Sequence, residues 1–398
     1  MSMSTMLSEK TLSSWKILLL ATAIGFMVAN LYYIQPIAGP VSAALGLSKA
    51  AAGLLVTITQ LGYSLGLFLL VPLGDLFENK KLILLLLIIN IAGLAFCASA
   101  THSSTFLAAI FFVGATTATI QVILPLIAHM TPEATRGKVI GNVMSGLMLG
   151  IMLARPFSSM VTHFSSWHGI FWVATLCMVG VAVVLSKTLP HYQPTTNLSY
   201  KNLLVSMGKL ALTTPTLRRR ALYQAALFSA FSLFWTTSPL YLSSTFHFSQ
   251  AGIAVFALVG ITGVLAAPIA GRCADRGWTY LMTGIATLAV IVAFLITYIG
   301  KPGSLLALGS LTAAAILLDF GMTANLVLGQ RTIFALPAEY RARFNSIYIT
   351  AFFLGGAIGS ALGSWSFAQD GWHLTLWMGI LFPLLAFIYY LFEKKSPL

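Results

Sequence analysis

The chain has 398 residues, of which 58% are apolar or aromatic and only 8% carry a formal charge. A soluble domain has about a quarter charged residues, so this composition, with a mean hydropathy of +0.90, excludes a soluble multidomain protein. The net charge of +13 does not indicate nucleic-acid binding, because the basic residues lie in short gaps between apolar runs. The cysteines have neither disulfide-framework nor zinc-site spacing; they are Cys97, Cys177 and Cys273.

Twelve apolar runs are long enough to cross a bilayer, since about 20 helical residues span roughly 30 Å of hydrocarbon. The composition therefore predicts an all-α membrane protein with twelve transmembrane helices. Span 1 is longer than the apolar region of a signal peptide, so we expect it to be retained. Spans 1 to 12 are predicted at 17–39, 51–73, 82–100, 105–129, 139–161, 168–187, 221–243, 251–271, 279–299, 304–329, 344–367 and 373–392.

The basic residues fall in alternate gaps, whereas the gaps on the other side hold only Lys49 and Lys301. Because cytoplasmic loops carry the excess of Lys and Arg, this asymmetry predicts that both termini are cytoplasmic. The basic gaps contain Lys10, Lys16, Lys80, Lys81, Arg136, Lys138, the 187–220 stretch, Arg272, Arg276, Arg331, Arg341, Arg343, Lys394 and Lys395.

The long polar segment 188–220 divides the chain into an amino-terminal bundle, 1–187, and a carboxy-terminal bundle, 221–398. Within this linker, Lys201–Ala211 is predicted to form a short surface helix. The two halves echo each other, because Asp75 after span 2 recurs as Asp275 after span 8, and the loop 132–138 recurs as 337–343. Each of these loops precedes a helix with small residues at every fourth position: Gly146, Gly150 and Ala154, then Gly355, Gly359 and Gly363. Two parallel six-helix repeats are typical of some transporter folds, with the substrate site between them.

With these features the chain resembles the major facilitator superfamily over essentially its whole length. The resemblance is carried by Gly271-Arg-Cys-Ala-Asp-Arg-Gly277, which matches the family's loop between the second and third helices of a half. The first-half copy, 72–81, keeps Asp75, Lys80 and Lys81 but has Glu78 where glycine is usual. The run 30–36 in span 1 resembles a bacterial drug and metabolite efflux subgroup that includes purine-ribonucleoside and arabinose-type efflux permeases.

This resemblance implies two pseudo-symmetric six-helix bundles and a secondary active transporter that works by alternating access. It further implies a bacterial inner membrane location, a monomer, and a small-molecule substrate and protons as partners besides the lipid. No cofactor, metal, nucleic acid or enzymatic activity is expected. Span 4 lacks the membrane-embedded Arg of proton-coupled drug exporters, and Pro156 is displaced from the family's antiporter pattern in span 5.

Asp319 in span 10 is the first of two ionisable residues deep in a predicted span, where a charge costs at least about 2.5 kcal/mol and usually marks function. Eleven residues from the span's basic flank place it roughly 16 Å deep. Thr312 and Thr323 project from the same side of the helix. Asp319 has three interpretations: a proton carrier that alternating access exposes to each side in turn, a counter-charge for a cationic substrate, or a structural partner of a buried donor.

Arg155 in span 5 is the second such residue, and it has no acid nearby in its own helix. It could bind an anionic group of the substrate or offset the charge of Asp319. Alternatively, its long stem could snorkel to the outer interface. The rise per residue places it about 10 Å nearer the outside than Asp319, so a permanent ion pair between the two is not predicted.

Several uncharged polar residues are expected to line the central cavity. Amides, phenols and aromatic walls suit a moderately polar or lipophilic molecule, although the same residue types also form hydrogen bonds between membrane helices. The predicted lining consists of Asn30, Tyr33, Gln35, Gln60, Tyr63, Thr117, Gln121, Trp235, Ser238, Thr312 and Thr323.

The charged loops are expected to form a cytoplasmic gate. By the resemblance, Asp75 and Asp275 would each latch against the start of span 11 or span 5, and Arg276 would extend that latch. The alternative is helix capping combined with a role in topology. The predicted gate comprises Asp75, Lys80, Lys81, Asp275, Arg276, Arg136 and Arg341.

The leading functional hypothesis is a proton-coupled antiporter that exports small organic molecules such as drugs or metabolites. The first alternative is an uptake symporter or facilitator on the same fold, which the sequence does not distinguish from an exporter. A lipid or amphiphile flippase is the second alternative, and it would depend only weakly on Asp319. A channel is disfavoured because no ring of charges or filter-like loop is present.

Overall fold

The computed structural model describes residues 13–194 and 199–393, and within these ranges the secondary structure is helical, without a strand. Among the described residues, ten helical stretches are long and apolar enough to cross a membrane. One of them, Arg341–Leu391, holds spans 11 and 12, and the separate helix Pro215–Thr245 provides span 7. The twelve predicted transmembrane helices are therefore confirmed. Lys10, Lys394 and Lys395 lie outside the described residues.

Six spans are uninterrupted helices. They are Asn79–Ser99 (span 3), Glu133–Phe164 (span 5), Trp167–Thr188 (span 6), Pro215–Thr245 (span 7), Thr279–Ile296 (span 9) and Leu305–Phe334 (span 10). The predicted surface helix of the linker is also present, over Tyr200–Thr213, and Ser199 caps its start by accepting a hydrogen bond from the backbone of Asn202.

Spans 1, 2, 4 and 8 are broken or change helix type. Span 1 consists of Ser14–Ala29 and Ile34–Ala44, and span 4 of Ser103–Thr117 and Ile120–His129. Span 2 has 3₁₀ turns at Lys49–Ala51 and Val71–Asp75 around the α-helix Ala52–Leu69, and span 8 has a 3₁₀ segment, Leu258–Leu265, between Gln250–Ala257 and Ala266–Asp275.

The break in span 1 follows from Pro36. Proline has no backbone N–H, so Pro36 leaves the carbonyl of Tyr32 without its helical donor. The N–H of Gln35 takes that carbonyl at 3.2 Å instead, as in a 3₁₀ turn. The backbone therefore leaves the α-helical pattern between Asn30 and Tyr33, where i→i−3 hydrogen bonds replace i→i−4 bonds.

Spans 11 and 12 are separated by a sharp turn at Asp370 and Gly371. Gly371 has φ of 56° and ψ of −143°, a conformation that essentially only glycine adopts without strain. This turn places the carboxyl end of span 11 and the start of span 12 at the same end of the bundle, as the predicted topology requires.

The small-residue ladders bring helix backbones together in the same way in both halves. Gly146 and Gly150 of span 5 lie directly against Ala21 and Gly25 of span 1. In the second half, Gly355 and Gly359 of span 11 lie directly against Ala225 and Ser229 of span 7. Because span 7 is the counterpart of span 1 and span 11 that of span 5, the equivalent contacts support the two-fold repeat of the fold.

Replacing Gly359 by Ala is expected to destabilise the protein, because the new Cβ would overlap the backbone oxygen of Ser229. Overpacking of this kind costs about 1–3 kcal/mol. Thermal unfolding in detergent should show a midpoint lowered by a few degrees. Gly180→Ala in span 6 is the matched control, since among the described residues a Cβ there would meet no atom within 4 Å beyond its own turn of helix. An unchanged midpoint for Gly359→Ala would contradict the close packing of spans 7 and 11.

The two bundles contact each other along spans 2 and 11. The hydroxyl groups of Thr57 and Ser360 are 2.7 Å apart, and the rings of Tyr63 and Phe353 have centroids 4.5 Å apart. Farther along the same helices, Ser346 donates a hydrogen bond to the carbonyl of Leu67 at 2.8 Å. This seam holds the two halves together while spans 5 and 8 pack on each other.

Candidate functional site

Asp319 lies in the interior of the bundle, with 4% of its surface exposed. Its Oδ1 accepts a hydrogen bond of 2.9 Å from the indole Nε1 of Trp235 in span 7. The position is near the middle of the helix Leu305–Phe334. At this position the carboxyl group has lost its hydrating water, and the Trp235 N–H is its hydrogen-bond donor.

Arg155 is also buried, with 3% exposure, so the snorkelling interpretation is wrong. Its Nε donates a hydrogen bond of 2.7 Å to Oε1 of Gln35, at the point where Pro36 breaks span 1. The guanidinium carbon lies 5.1 Å from the ring centroid of Tyr32, 5.1 Å from that of Phe231 and 4.6 Å from that of Trp235. Aromatic faces attract a cation, so three rings stabilise this buried charge.

Trp235 connects the two charged residues. Its indole N–H points at Asp319, whereas its ring face lies against the guanidinium of Arg155. No ion pair within 4.0 Å joins Arg155 and Asp319 among the described residues. Arg155 of one bundle and Asp319 of the other thus contact the same indole ring. We call Arg155, Gln35, Trp235 and Asp319 the central site.

The 3₁₀ segment of span 8 forms the wall beside the central site. A Cβ at Gly260 would be 3.0 Å from Oδ2 of Asp319 and 3.2 Å from the Trp235 ring. At Gly263 a Cβ would be 3.0 Å from the Cβ of Asp319. Glycine at these positions therefore lets span 8 lie directly on the carboxyl group, and a 3₁₀ stretch inside a helix often marks a functional hinge.

The other predicted lining residues are distributed over several contacts. Asn30 and Thr117 are hydrogen-bonded to Asn90 of span 3, at 3.3 Å each, which is the interhelical alternative. Gln60 donates to Ser232 across the two bundles at 2.9 Å, and Thr312 bonds to its own helix.

Gln121 lies apart from the central site, in a small pocket that also contains Asp75 and Arg343. Tyr33 packs near Phe157, with ring centroids 6.5 Å apart, and Tyr63 packs on Phe353. Ser238 is fully buried and Thr323 half-buried.

The predicted gate residues Asp75 and Asp275 contact different helices, and the contact of Asp275 differs from the expected one. Asp75 and Arg343 line one pocket at the start of span 11. Among the described residues, Asp275, however, forms its ion pair with Arg331 of span 10 and not with the start of span 5, because Arg331 lies in the last turn of the helix that packs beside span 8. Arg276 lies over the ring of Trp278 at 5.6 Å.

The other gate residues make local contacts or face outward. Nε of Arg136 donates to the carbonyl of Ala128 at 3.0 Å, and Arg341 is exposed. Lys80 and Lys81 use their backbone N–H groups to bond Glu78, at 3.1 and 2.8 Å.

Glu78 attaches the linker to the loop after span 2. Besides the two lysine N–H groups, it accepts a hydrogen bond of 3.2 Å from the backbone N–H of Tyr192, and His191 lies 3.5 Å away. Partial burial raises the pKa of Glu78, but the three N–H donors and the His191 charge outweigh it and leave the pKa below its ordinary value. The departure from glycine at this position therefore has a structural role.

Sequence reasoning missed two aromatic residues of the site, Tyr32 and Phe231. Phe231 lies four positions before Trp235, so the two rings share a helix face. Tyr32 adjoins the predicted Tyr33, and only the break in span 1 decides which of the two rings meets Arg155. Helical spacing could thus have suggested Phe231 but not Tyr32.

The chain is similar in sequence to known transporters. The family model described as Major Facilitator Superfamily matches residues 18–335. The uncharacterized transporter YgaY of Escherichia coli is 33% identical over 362 residues, which cover 91% of each chain. The probable transporter SCO4007 of Streptomyces coelicolor is 27% identical over 357 residues, covering 89% of this chain and 82% of that protein.

Among solved structures, the nucleoside transporter NupG superposes with a TM-score of 0.75 at 14% identity, covering 95% of this chain and 100% of that one. At that identity the likeness concerns the fold alone. This likeness of fold agrees with the matched family model and with the twelve spans. The chain belongs to the Major Facilitator Superfamily and is a multi-pass membrane transporter.

Proposed function

We propose that this transporter is a proton-coupled antiporter that exports small organic molecules, with Asp319 as the group that carries the proton. The observation that supports this most directly is the position of Asp319: 4% exposed, in the middle of span 10, with the Trp235 indole as its donor. An isolated buried charge is expensive, so a carboxyl group there has a functional use for its ability to take up a proton.

Alternating access supplies the two environments that such a group needs. The central site joins a residue of span 5 to residues of spans 7 and 10, so rocking of one bundle against the other changes the surroundings of Asp319. When the site opens to water, the carboxylate is solvated and can release its proton. When it closes, the protonated form or a bound substrate replaces the lost solvation.

The proposal includes the location and organisation of the chain. We place it in the bacterial inner membrane as a monomer, with the basic loops and both termini on the cytoplasmic side. The bundles 1–187 and 221–398 are the two moving bodies, joined by the linker 188–220. Asp75 with Arg343, and Asp275 with Arg331, are then the charged contacts of the cytoplasmic gate.

A flippase is the second candidate, because an apolar groove runs along spans 1 and 5. It has a volume of about 820 Å³, and its walls include Leu18, Phe26, Leu149, Leu153 and Leu258. An acyl chain would suit such a surface. This mechanism predicts that transport continues without a functional Asp319.

Proton flux in proteoliposomes tests both candidates. A pH-sensitive dye trapped inside the vesicles reports proton movement when drugs, nucleosides, sugars and amino acids are added in turn. We expect at least one compound to drive protons in the direction opposite to its own movement. Proton movement in the same direction would make the protein a symporter. Uptake of a labelled compound without any dye signal would overturn proton coupling.

A further inference from the structure

The central site presents two opposite charges that do not neutralise each other directly. Arg155 and Asp319 lie on either side of the Trp235 indole, which touches the guanidinium with its face and the carboxylate with its N–H. The site therefore has one cationic and one anionic end, separated by more than ion-pair contact.

The cationic end has unused hydrogen-bond donors. Nη2 of Arg155 and Nε2 of Gln35 are buried and have no hydrogen-bond partner in the described part of the chain, and the two side chains are joined through Nε and Oε1 at 2.7 Å. A buried donor without an acceptor costs about 1–3 kcal/mol. Both donors belong to side chains with 3% and 0% exposure, so an acceptor group of the substrate would satisfy them. A carboxylate or a similar anionic group offers two acceptor oxygens to such a pair.

The anionic end offers only acceptors. Asp319 uses Oδ1 for the Trp235 N–H, while Oδ2 faces span 8 beside Gly260. Of the residues that adjoin the carboxyl group, Trp235, Gly260 and Gly263 do not titrate, and Arg155 beyond the indole is the charged one. A protonated amine is the substrate group that would complement this end.

The net charge of the closed site with its substrate favours one class of substrate over the others. Ionised Arg155 and Asp319 together have no net charge, so a simple cation or a simple anion would leave one uncompensated charge in a closed, buried site. Such a charge is strongly unfavourable. A molecule that carries one positive and one negative group leaves the closed site neutral and has a partner for each end.

We propose that the substrate is a zwitterion, such as an amino acid or a related amphoteric compound, whose anionic group binds Arg155 and Gln35 and whose cationic group binds Asp319. The inference rests on the proposed function and makes it more specific. A proton on Asp319 would remove the partner of the amine, so proton and substrate compete for one carboxylate. That competition is what an antiporter requires.

The experiment compares matched probes of different charge. Phenylalanine, phenethylamine, 3-phenylpropionate and 3-phenylpropanamide have similar skeletons and are zwitterionic, cationic, anionic and neutral at pH 7. An equivalent set is built on a branched aliphatic skeleton, and both α-amino and ω-amino acids are included. Binding to the purified full-length transporter is measured by the shift in thermal unfolding midpoint, which rises with ligand concentration over Kd.

We expect a zwitterion to bind more than about tenfold better than the cationic, anionic and neutral forms of the same skeleton, because mismatched charges cost several kcal/mol. Its binding should weaken as the pH falls and Asp319 takes up a proton. Strongest binding of a singly charged or neutral form, or no response to any zwitterion, would overturn the proposal.

Two variants test which residue selects which charge. Arg155→Gln should allow the amine to bind at least as well as the zwitterion, whereas Asp319→Asn should do the same for the acid. If Arg155→Gln does not fold, Asp319→Asn alone decides the matter: an unchanged preference for the zwitterion over the acid would contradict the assignment. If the zwitterion is not preferred but the wild type shows substrate-driven proton flux, only the substrate class is refuted. If the wild type shows no substrate-driven proton flux, the proposed function is refuted.

Discussion

Replacement of Asp319 by Asn is expected to abolish transport driven by a pH gradient. The amide cannot take up or release a proton, yet its oxygen can still accept the hydrogen bond from the Trp235 indole. Exchange of labelled for unlabelled substrate should therefore persist in proteoliposomes, with a higher half-saturating concentration and no dependence on pH. Both assays are run on the same vesicles, so the loss of coupling is measured separately from folding.

The matched control for this variant is Asp370→Asn. Asp370 lies in the turn between spans 11 and 12, where its side chain is 67% exposed and 3.0 Å from His373. It should keep the full response to a pH gradient. A pH-driven response in Asp319→Asn equal to that of the wild type would rule out Asp319 as the proton carrier and would favour the flippase.

Replacement of Arg155 by Gln is expected to cause the largest loss of stability of any single change at the central site. It removes the donor to Gln35 and the cation that three aromatic rings surround, and it leaves the charge of Asp319 without compensation. Removing one partner from a buried pair of charges costs about 3–5 kcal/mol. The thermal unfolding midpoint in detergent at pH 7.5 should fall accordingly.

The double variant Arg155→Gln with Asp319→Asn provides the decisive comparison. Because the second substitution removes the uncompensated carboxylate, the double variant should be more stable than Arg155→Gln alone. A non-additive result of this kind measures the coupling between two sites that share no direct contact. Purely additive losses of stability would show that the charges act independently of each other.

Much of the architecture was predictable because a bilayer imposes strong local rules. Each span needs a long apolar run, and the Lys and Arg content of each loop indicates on which side of the membrane it lies. The small-residue ladders were also visible, since Gly355 and Gly359 mark a close helix contact by their spacing alone. The identity of the facing helix was not visible, because spacing describes one helix and not its neighbour.

The site was predicted in part for the same reason. An acid or a guanidinium inside an apolar run is conspicuous, so Asp319 and Arg155 stood out, and Trp235 and Gln35 were among the expected lining residues. Gln121 was expected there too, but the structure places it with Asp75 in another pocket. A polar residue in a span has several helices within reach, and periodicity does not select among them.

The sequence by itself determined the solvent of this protein, the number of its spans and the two residues whose charges the membrane interior makes costly. The tertiary structure alone decided that Trp235 stands between those charges, that Gln35 turns towards Arg155, and that Asp275 pairs with Arg331 rather than with span 5. The reason is physical. Burial in lipid is a property of each segment, whereas a contact between Arg155 of one bundle and Trp235 of the other depends on how the two bundles are packed.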